Sequence, residues 1–382
     1  MELIFGIILG LLILVFLVVV HELGHAIVAR RNGVVVEEFG IGFPPRAAAK
    51  KLKNGVLLTL NWLPLGGFVK LQGEHDAANK KGDYGAASFW QKTRILLAGV
   101  AINWLVAAGL LSILAWTGLP KILPNQFSIA SDTTIVKKPV ELTTIAKGSP
   151  AEKAGLKTGD QIVRFAGEPI LAAEAFSSKT KELKGKEVEI IYSRNGVEQT
   201  TTATLKADNK NKQGYLGVGS GQREEIKASW SAPIVGIVTT AQFTGVTLQG
   251  LGDLVVNLVS GIFMQLSPNE STRTEAKESL ETAGNSVAGP IGILGTIFPA
   301  AEQAGLTQLI FLTAIISLTL AVMNTLPIPA LDGGRWFVMA IYRVLKRPLT
   351  KEREEQIQGT GFLILMGLVV IVTVADVGKL FR

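Results

Sequence analysis

The chain has no cysteine and only three histidines among its 382 residues. The first absence excludes a disulfide framework, a thiol nucleophile and any cysteine-ligated metal site. Charge is scarce as well, at 18% Asp, Glu, Lys and Arg against 48% hydrophobic residues, a balance that excludes an intrinsically disordered chain. Polar groups are missing from whole blocks. Leu3 to Val20 is eighteen residues without a polar side chain, enough for a helix to cross a bilayer at about 1.5 Å per residue. The chain reads as a membrane protein. Its net charge of +7 does not point to nucleic acid, because Lys and Arg gather beside the apolar blocks, where they mark topology.

Four segments are expected to span the bilayer: Leu3 to Ala29, Arg94 to Thr117, Leu306 to Leu326 and Gly359 to Ala375. The first lacks a basic n-region and exceeds a usual h-region, so it reads as a span and not as a removable leader. Arg30 to Arg94 carries eleven Lys and Arg, and Arg335 to Arg353 carries six. The positive-inside rule therefore puts both loops in the cytoplasm and both termini outside. Phe127 to Gln222 reads as a small, mainly β domain, since runs such as Val188 to Tyr192 alternate with turn signals like Asn195-Gly196. Ser229 to Phe263 is apolar but broken by Gly, Thr and Gln, which predicts an amphipathic interfacial helix. Ser267 to Thr282 reads as a solvated loop or exposed helix. In the first basic loop, Val56 to Leu60 and Phe68 to Leu71 flank Asn61 to Gly67 and read as a hairpin or paired strands with an apolar tip that can dip into the membrane.

Chemistry concentrates at His21-Glu22-Leu23-Gly24-His25, which closes the first apolar run. On a helix, residues four apart share a face, so both imidazoles reach one ion, and Glu22 at the edge of that face can take a proton from water. His21 lies roughly 13 Å inside the basic boundary at Arg30. Ionisable groups at that depth are costly unless they pair or bind metal. Two histidines leave a zinc site one protein ligand short, and a carboxylate must complete it. Asp332 follows Pro327 and Pro329, which end a helix and force extended backbone. It reads either as that third ligand or as the N-cap of the helix carrying Trp336 and Phe337. The remaining histidine, His75, sits among Glu74 and Asp76 in a basic loop and reads as solvated.

With these residues the chain resembles the site-2 protease family of intramembrane zinc metalloproteases, in the bacterial branch with an extracytoplasmic PDZ domain. The HExxH motif of that family is matched by His21, Glu22 and His25. Its NxxPxPxLDG motif is matched by Asn324, Pro327, Pro329, Leu331, Asp332 and Gly333. Pro64 to Lys70 resembles the family's re-entrant β element, Ala288 to Ile293 its GPI segment, and Gly148 to Ile162 a PDZ signature. Leu97 to Asn103 resembles its AGPxxN segment, with Val100 where the family has Pro.

The resemblance implies a polytopic α-helical membrane protein of about four transmembrane helices, with a membrane-associated β-hairpin and one inserted PDZ-like β-rich domain. The expected division is 1–117 and 306–378 for the catalytic core, 127–222 for the PDZ-like domain, and 228–299 for an interfacial segment with a polar loop. It further implies Zn²⁺ held by His21, His25 and Asp332, with Glu22 as the catalytic base. Asn324, Pro327, Pro329, Gly66, Gly67 and Asn103 are implied to touch substrate, although Asn103 also reads as an interhelical hydrogen-bonding residue. The implied substrates are single-span membrane proteins, cut in the bilayer of the cell (inner or cytoplasmic) membrane near its cytoplasmic side. Peptide termini or extended segments would bind the PDZ-like domain. The alternative is a catalytically inactive, membrane-anchored PDZ adaptor.

Overall fold

Residues 2–209, 213–285 and 288–380 are described by a computed structural model. The chain divides into two units, Met1–Leu114 with Pro233–Arg382, and Ala115–Ala232. In the first unit the uncharged N-terminal run forms α1 (Glu2–Arg31), whose last turn carries Arg30 and Arg31. Two long strands follow, β1 (Val36–Lys51) and β2 (Leu57–Leu71), and then α2 (Phe89–Thr117). The second unit holds β3 (Leu119–Pro120), β4 (Thr134–Ile145), α3 (Pro150–Lys153), β5 (Gln161–Phe165), β6 (Glu168–Pro169), α4 (Ala173–Glu182), β7 (Glu187–Arg194), β8 (Val197–Thr204) and β9 (Val218–Lys227). The chain returns to the first unit with α5 (Ala232–Gln265), α6 (Glu270–Asn285), α7 (Pro290–Gly292), a π-helical stretch (Ile293–Ile297), α8 (Phe298–Gln303), α9 (Leu306–Thr325), α10 (Asp332–Val344) and α11 (Lys351–Leu380).

Five helices, α1, α2, α5, α9 and α11, are long and apolar enough to cross a membrane. Four contain the expected spans to within a residue; α5, expected as an interfacial helix, is also long and apolar enough by length and composition. Several of its Gly and Thr residues are packed inward. Gly236 lies against the backbone of Ser112 on α2. Thr240 Oγ1 donates to the Gly236 carbonyl at 2.7 Å, and Trp104 Nε1 donates to Thr244 Oγ1 at 3.1 Å. A hydroxyl bonded to the preceding turn or to a neighbouring helix costs little in an apolar setting. Of Ser267 to Thr282, the part from Glu270 onward takes the helical of its two expected forms, as part of α6, with Leu280 and Ala276 packed on Gly261 of α5.

The expected hairpin in the first loop is replaced by a larger element. Val56 to Leu60 and Phe68 to Leu71 lie on either side of β1: residues 36–43 pair with 63–71 and also with 57–60, while 46–51 pair with 57–61. Gly40 makes this possible, because any side chain there would meet the Phe68 ring. Glu38 is buried inside the sheet, and Arg46 at 2.6 Å and Thr59 at 2.9 Å satisfy its two carboxylate oxygens. The turn is strongly apolar, with Trp62 70% exposed and Leu60, Leu63 and Phe43 beside it also exposed.

In the second unit the sheet order is β3-β9-β4-β5-β7-β8, with β6 paired to β5. The β7–β8 hairpin turns at Asn195-Gly196, both at positive φ, as that dipeptide predicts. Val140, Leu142, Ile162, Ile190 and the edge-to-face pair Phe165–Phe176 (5.2 Å) form its core. Asp160 is buried, and Arg194 grips it through two bonds of 2.7 Å. The unit's boundaries are wider than the expected 127–222, because its first and last segments pair: Leu119 with Ile226, and Ala228 N–H to the Ala115 carbonyl at 2.7 Å. β3 covers only the end of β9, so among the described residues Val218 to Arg223 form an open strand edge.

Asp132 closes the base of this unit. Its carboxylate accepts the Ser229 and Ser231 backbone N–H groups at 2.9 and 3.0 Å, together with both serine hydroxyls. The hydroxyl bonds from Ser229 and Ser231 hold its pKa down to about 2. A carboxyl lowered on folding adds stability above its unfolded value and loses it as pH falls through the folded one. Asp132→Asn should therefore lower the melting temperature at pH 7, and the gap from wild type should narrow from pH 4 downward. Thermal scans of both proteins across that range check this.

Candidate metal centre

α1 puts His21 and His25 on one helix face, each less than 10% exposed. Asp332 is the first residue of α10. Leu331 holds the cap position, so the N-cap alternative for Asp332 does not hold. Its carboxylate faces the imidazoles instead. His21 Nε2 lies 3.1 Å from Asp332 Oδ2, His25 Nε2 lies 3.2 Å from the same oxygen, and the two Nε2 atoms are 3.1 Å apart. Three ligand-type atoms thus form a nearly equilateral triangle. Ligands about 2.0–2.1 Å from a tetrahedral cation sit about 3.3 Å apart, so the triangle matches one face of such a site.

The tautomer of His25 also fits. Its Nδ1 lies 2.7 Å from the Ile95 carbonyl. A carbonyl only accepts, so Nδ1 carries the proton and Nε2 turns a lone pair to the triangle. The donor set of two imidazoles and one carboxylate suits zinc in a hydrolytic site. His21, His25 and Asp332 therefore fit the metal that the motifs imply.

The close approach of α2 makes room for this arrangement. A Cβ on Gly99 would stand 2.5 Å from His25 Nε2 and 2.6 Å from His21 Nε2, and one on Gly24 would stand 2.8 Å from the Ala98 carbonyl. Gly99 was not named as a site residue from the sequence; its signal was its place in the AGPxxN-like segment Leu97 to Asn103. Glu22 is half-buried beside β2, next to the Val69 backbone N–H, and Gly67 stands 3.6 Å from its Cγ, measured from an added Cβ. Gly66, at φ +109, sits under the Phe43 ring, where a side chain would collide.

Other predicted site residues are not brought to the triangle. Asn324 Nδ2 donates to the Leu320 carbonyl of its own helix at 3.0 Å. Pro329 packs against Gly361 of α11, and Pro327 is exposed in the same connection. These residues build the turn before Asp332. Asn103 is buried on α2, four residues after Gly99, and its side-chain atoms have no hydrogen-bond partner among the described residues. The contact between helices there is made by its backbone carbonyl, which accepts from Ser317 Oγ at 2.8 Å. The α2 helix runs through Val100 unbroken. His75 lines a cavity of about 470 Å³ together with Asp332, Arg335, Glu354 and Gln358.

The chain is similar at full length to bacterial proteins named as zinc metalloproteases. One, from Clostridium perfringens (strain 13 / Type A), is 32% identical over 371 residues, covering 97% of this chain and 98% of that protein. Zinc metalloprotease RasP of Shouchella clausii is 27% identical over 435 residues, covering 96% and 97%. Among solved structures, the PDZ domain of an SdrC-like protein from Listeria monocytogenes is similar at 20% identity and a TM-score of 0.20, over 25% of this chain and 93% of that one. The model for Peptidase family M50 matches residues 9–368, and the chain belongs to that family.

Proposed function

We propose that this protein is a zinc-dependent intramembrane endopeptidase that cuts membrane-embedded segments of single-span proteins. The observation that carries the reading is the 3.1–3.2 Å triangle of His21, His25 and Asp332, with both histidines on a helix long and apolar enough to span and Glu22 one residue along. These three residues hold the metal. Zinc, when bound, activates a water for attack and polarises the scissile carbonyl. Glu22 accepts the proton of the attacking water and delivers it to the leaving amine nitrogen.

Substrate must arrive unwound, because a transmembrane helix satisfies its backbone groups internally. Among the described residues, the segment 63–71 of β2 pairs with β1 on one side only and runs past Glu22, which supports strand addition as the way substrate backbone is held. Asn103 supports a further polar contact with substrate, since its amide is buried and has no partner among the described residues. Asn324, Pro327, Pro329 and Gly66 act by shaping the walls of the site. The basic loops support a cytoplasmic position for the site, with both termini and the Ala115–Ala232 unit outside. That unit acts as a PDZ-like domain, and the open edge of β9 beside a cavity of about 350 Å³ supports capture of an extended peptide.

The test uses purified protein in bilayers and a single-span peptide without a bulky outer domain. Wild type should cut within the span, stop when zinc is chelated, and recover when zinc is returned. His21→Ala should bind no zinc at this site and cut nothing. Cleavage that survives chelation, or is equal in His21→Ala, would overturn the reading. Zinc binding without cleavage of any spanning peptide would favour the adaptor.

A further inference from the structure

One turn beyond Asp332, Arg335 sits in a cluster of charges that the cleavage chemistry does not use. Its Nη1 donates to Glu74 Oε1 at 2.8 Å, its Nη2 to the Glu74 carbonyl, and its Nε to Glu354 Oε1 at 3.2 Å. The guanidinium lies 4.8 Å from the ring centre of Tyr84, which is 1% exposed. Every arm of the fork is therefore engaged, and its plane is stacked, a combination open to Arg and not to Lys.

Glu74 also faces the other way. Its second oxygen, Oε2, accepts the N–H of Leu71, the last residue of β2, at 3.3 Å. A continuous chain thus runs from the end of the strand beside Glu22, through the Glu74 carboxylate, to Arg335 and the first turn of α10. The segment on the other side of Asp332 is less firmly held by regular structure. Ala330 has φ +75, and its N–H donates to Gln358 Oε1 at 2.6 Å. The rotation and depth of α10 about its first turn decide where Asp332 Oδ2 stands. A metal centre tolerates only about 0.5 Å of error there.

We propose that Arg335 is a positioning residue which, through Glu74, ties the end of β2 to α10 and so holds the Asp332 carboxylate against His21 and His25. The strand that receives substrate and the carboxylate that completes the metal centre then move as one piece. This rests on the assignment of His21, His25 and Asp332 as metal ligands.

The experiment measures zinc affinity on the purified full-length protein in detergent, by competition with a chromophoric chelator. It compares wild type, Arg335→Lys, Glu74→Gln, the double variant and His21→Ala, with thermal melting of each metal-free protein alongside. Both single variants should melt as wild type does and bind zinc about 10-fold more weakly, the lower end of what loss of a group supporting a ligand costs. The double variant should be no weaker than the worse single, because both substitutions break one linkage. Affinities within twofold of wild type in folded variants, or losses that simply add, would overturn the proposal. If Arg335→Lys does not fold, Glu74→Gln decides alone, since it leaves Arg335 its bonds to the Glu74 carbonyl and Glu354. Equal zinc binding by wild type and His21→Ala would overturn the ligand assignment itself, a result distinct from failure of the positioning role.

Discussion

Glu22→Gln is expected to keep its zinc and lose about 10²–10⁴-fold in turnover, the range general acid–base catalysis supplies. Glutamine has the same size and retains an oxygen that can face the Val69 N–H, so the contacts with β2 survive. What it loses is the capacity to take a proton. Glu22 is not one of the three atoms of the triangle, which is why metal content and turnover should separate. Cleavage of a spanning peptide, measured together with zinc per chain, reads both. A loss of zinc equal to the loss of turnover would make Glu22 a support for the ligands, and unchanged turnover would remove it from catalysis.

Gly99→Ala is expected to be as damaging without touching any ionisable group. The new methyl would lie 2.5–2.6 Å from the Nε2 atoms of both histidines, well inside the separation of about 3.5–4.0 Å at which nonbonded carbon contacts are favourable. The helices have no slack to absorb it, since Gly24 already meets the Ala98 carbonyl at the same crossing. The imidazoles must swing away from Asp332 or α2 must retreat from α1. Zinc affinity should fall by at least about 10–100-fold, with cleavage reduced to background. Gly109→Ala is the control, as its Cβ meets nothing within 4 Å on the same helix; it should bind zinc and cut as wild type does. A Gly99→Ala protein with normal zinc affinity would mean that the α1–α2 crossing is looser than its contacts imply.

The parts of this molecule that local pattern could reveal differ from those that only packing reveals. The histidines were readable because a spacing of four on a helix is itself a statement about one face. Asp332 taken alone read equally as a cap, and it was its pairing with the histidine motif and its place in NxxPxPxLDG that marked it as the third ligand. Gly99 was marked only by its place in the AGPxxN-like segment, because a glycine in an apolar span carries no sign of the imidazoles it faces. The same holds for β1, whose Pro44, Pro45, Arg46, Lys50 and Lys51 look like loop and which becomes strand only by pairing with both halves of β2. In α5 the threonines look like a polar face from the sequence, yet Thr240 and Thr244 spend their hydroxyls on the preceding turn. The bridge from Leu71 through Glu74 to Arg335 joins residues far apart in the chain, and no periodicity encodes it.

The pairing of Leu119 with Ile226 has a modular consequence. Paired strands lie about 4.8 Å apart, so the chain leaves for the Ala115–Ala232 unit and comes back at nearly the same point. The unit is a cassette. It can be exchanged for one of a different size, or excised behind a short turn, without lengthening or shortening the path between α2 and α5. Selection can thus rework the outer module while the residues around His21, His25 and Asp332 stay as they are.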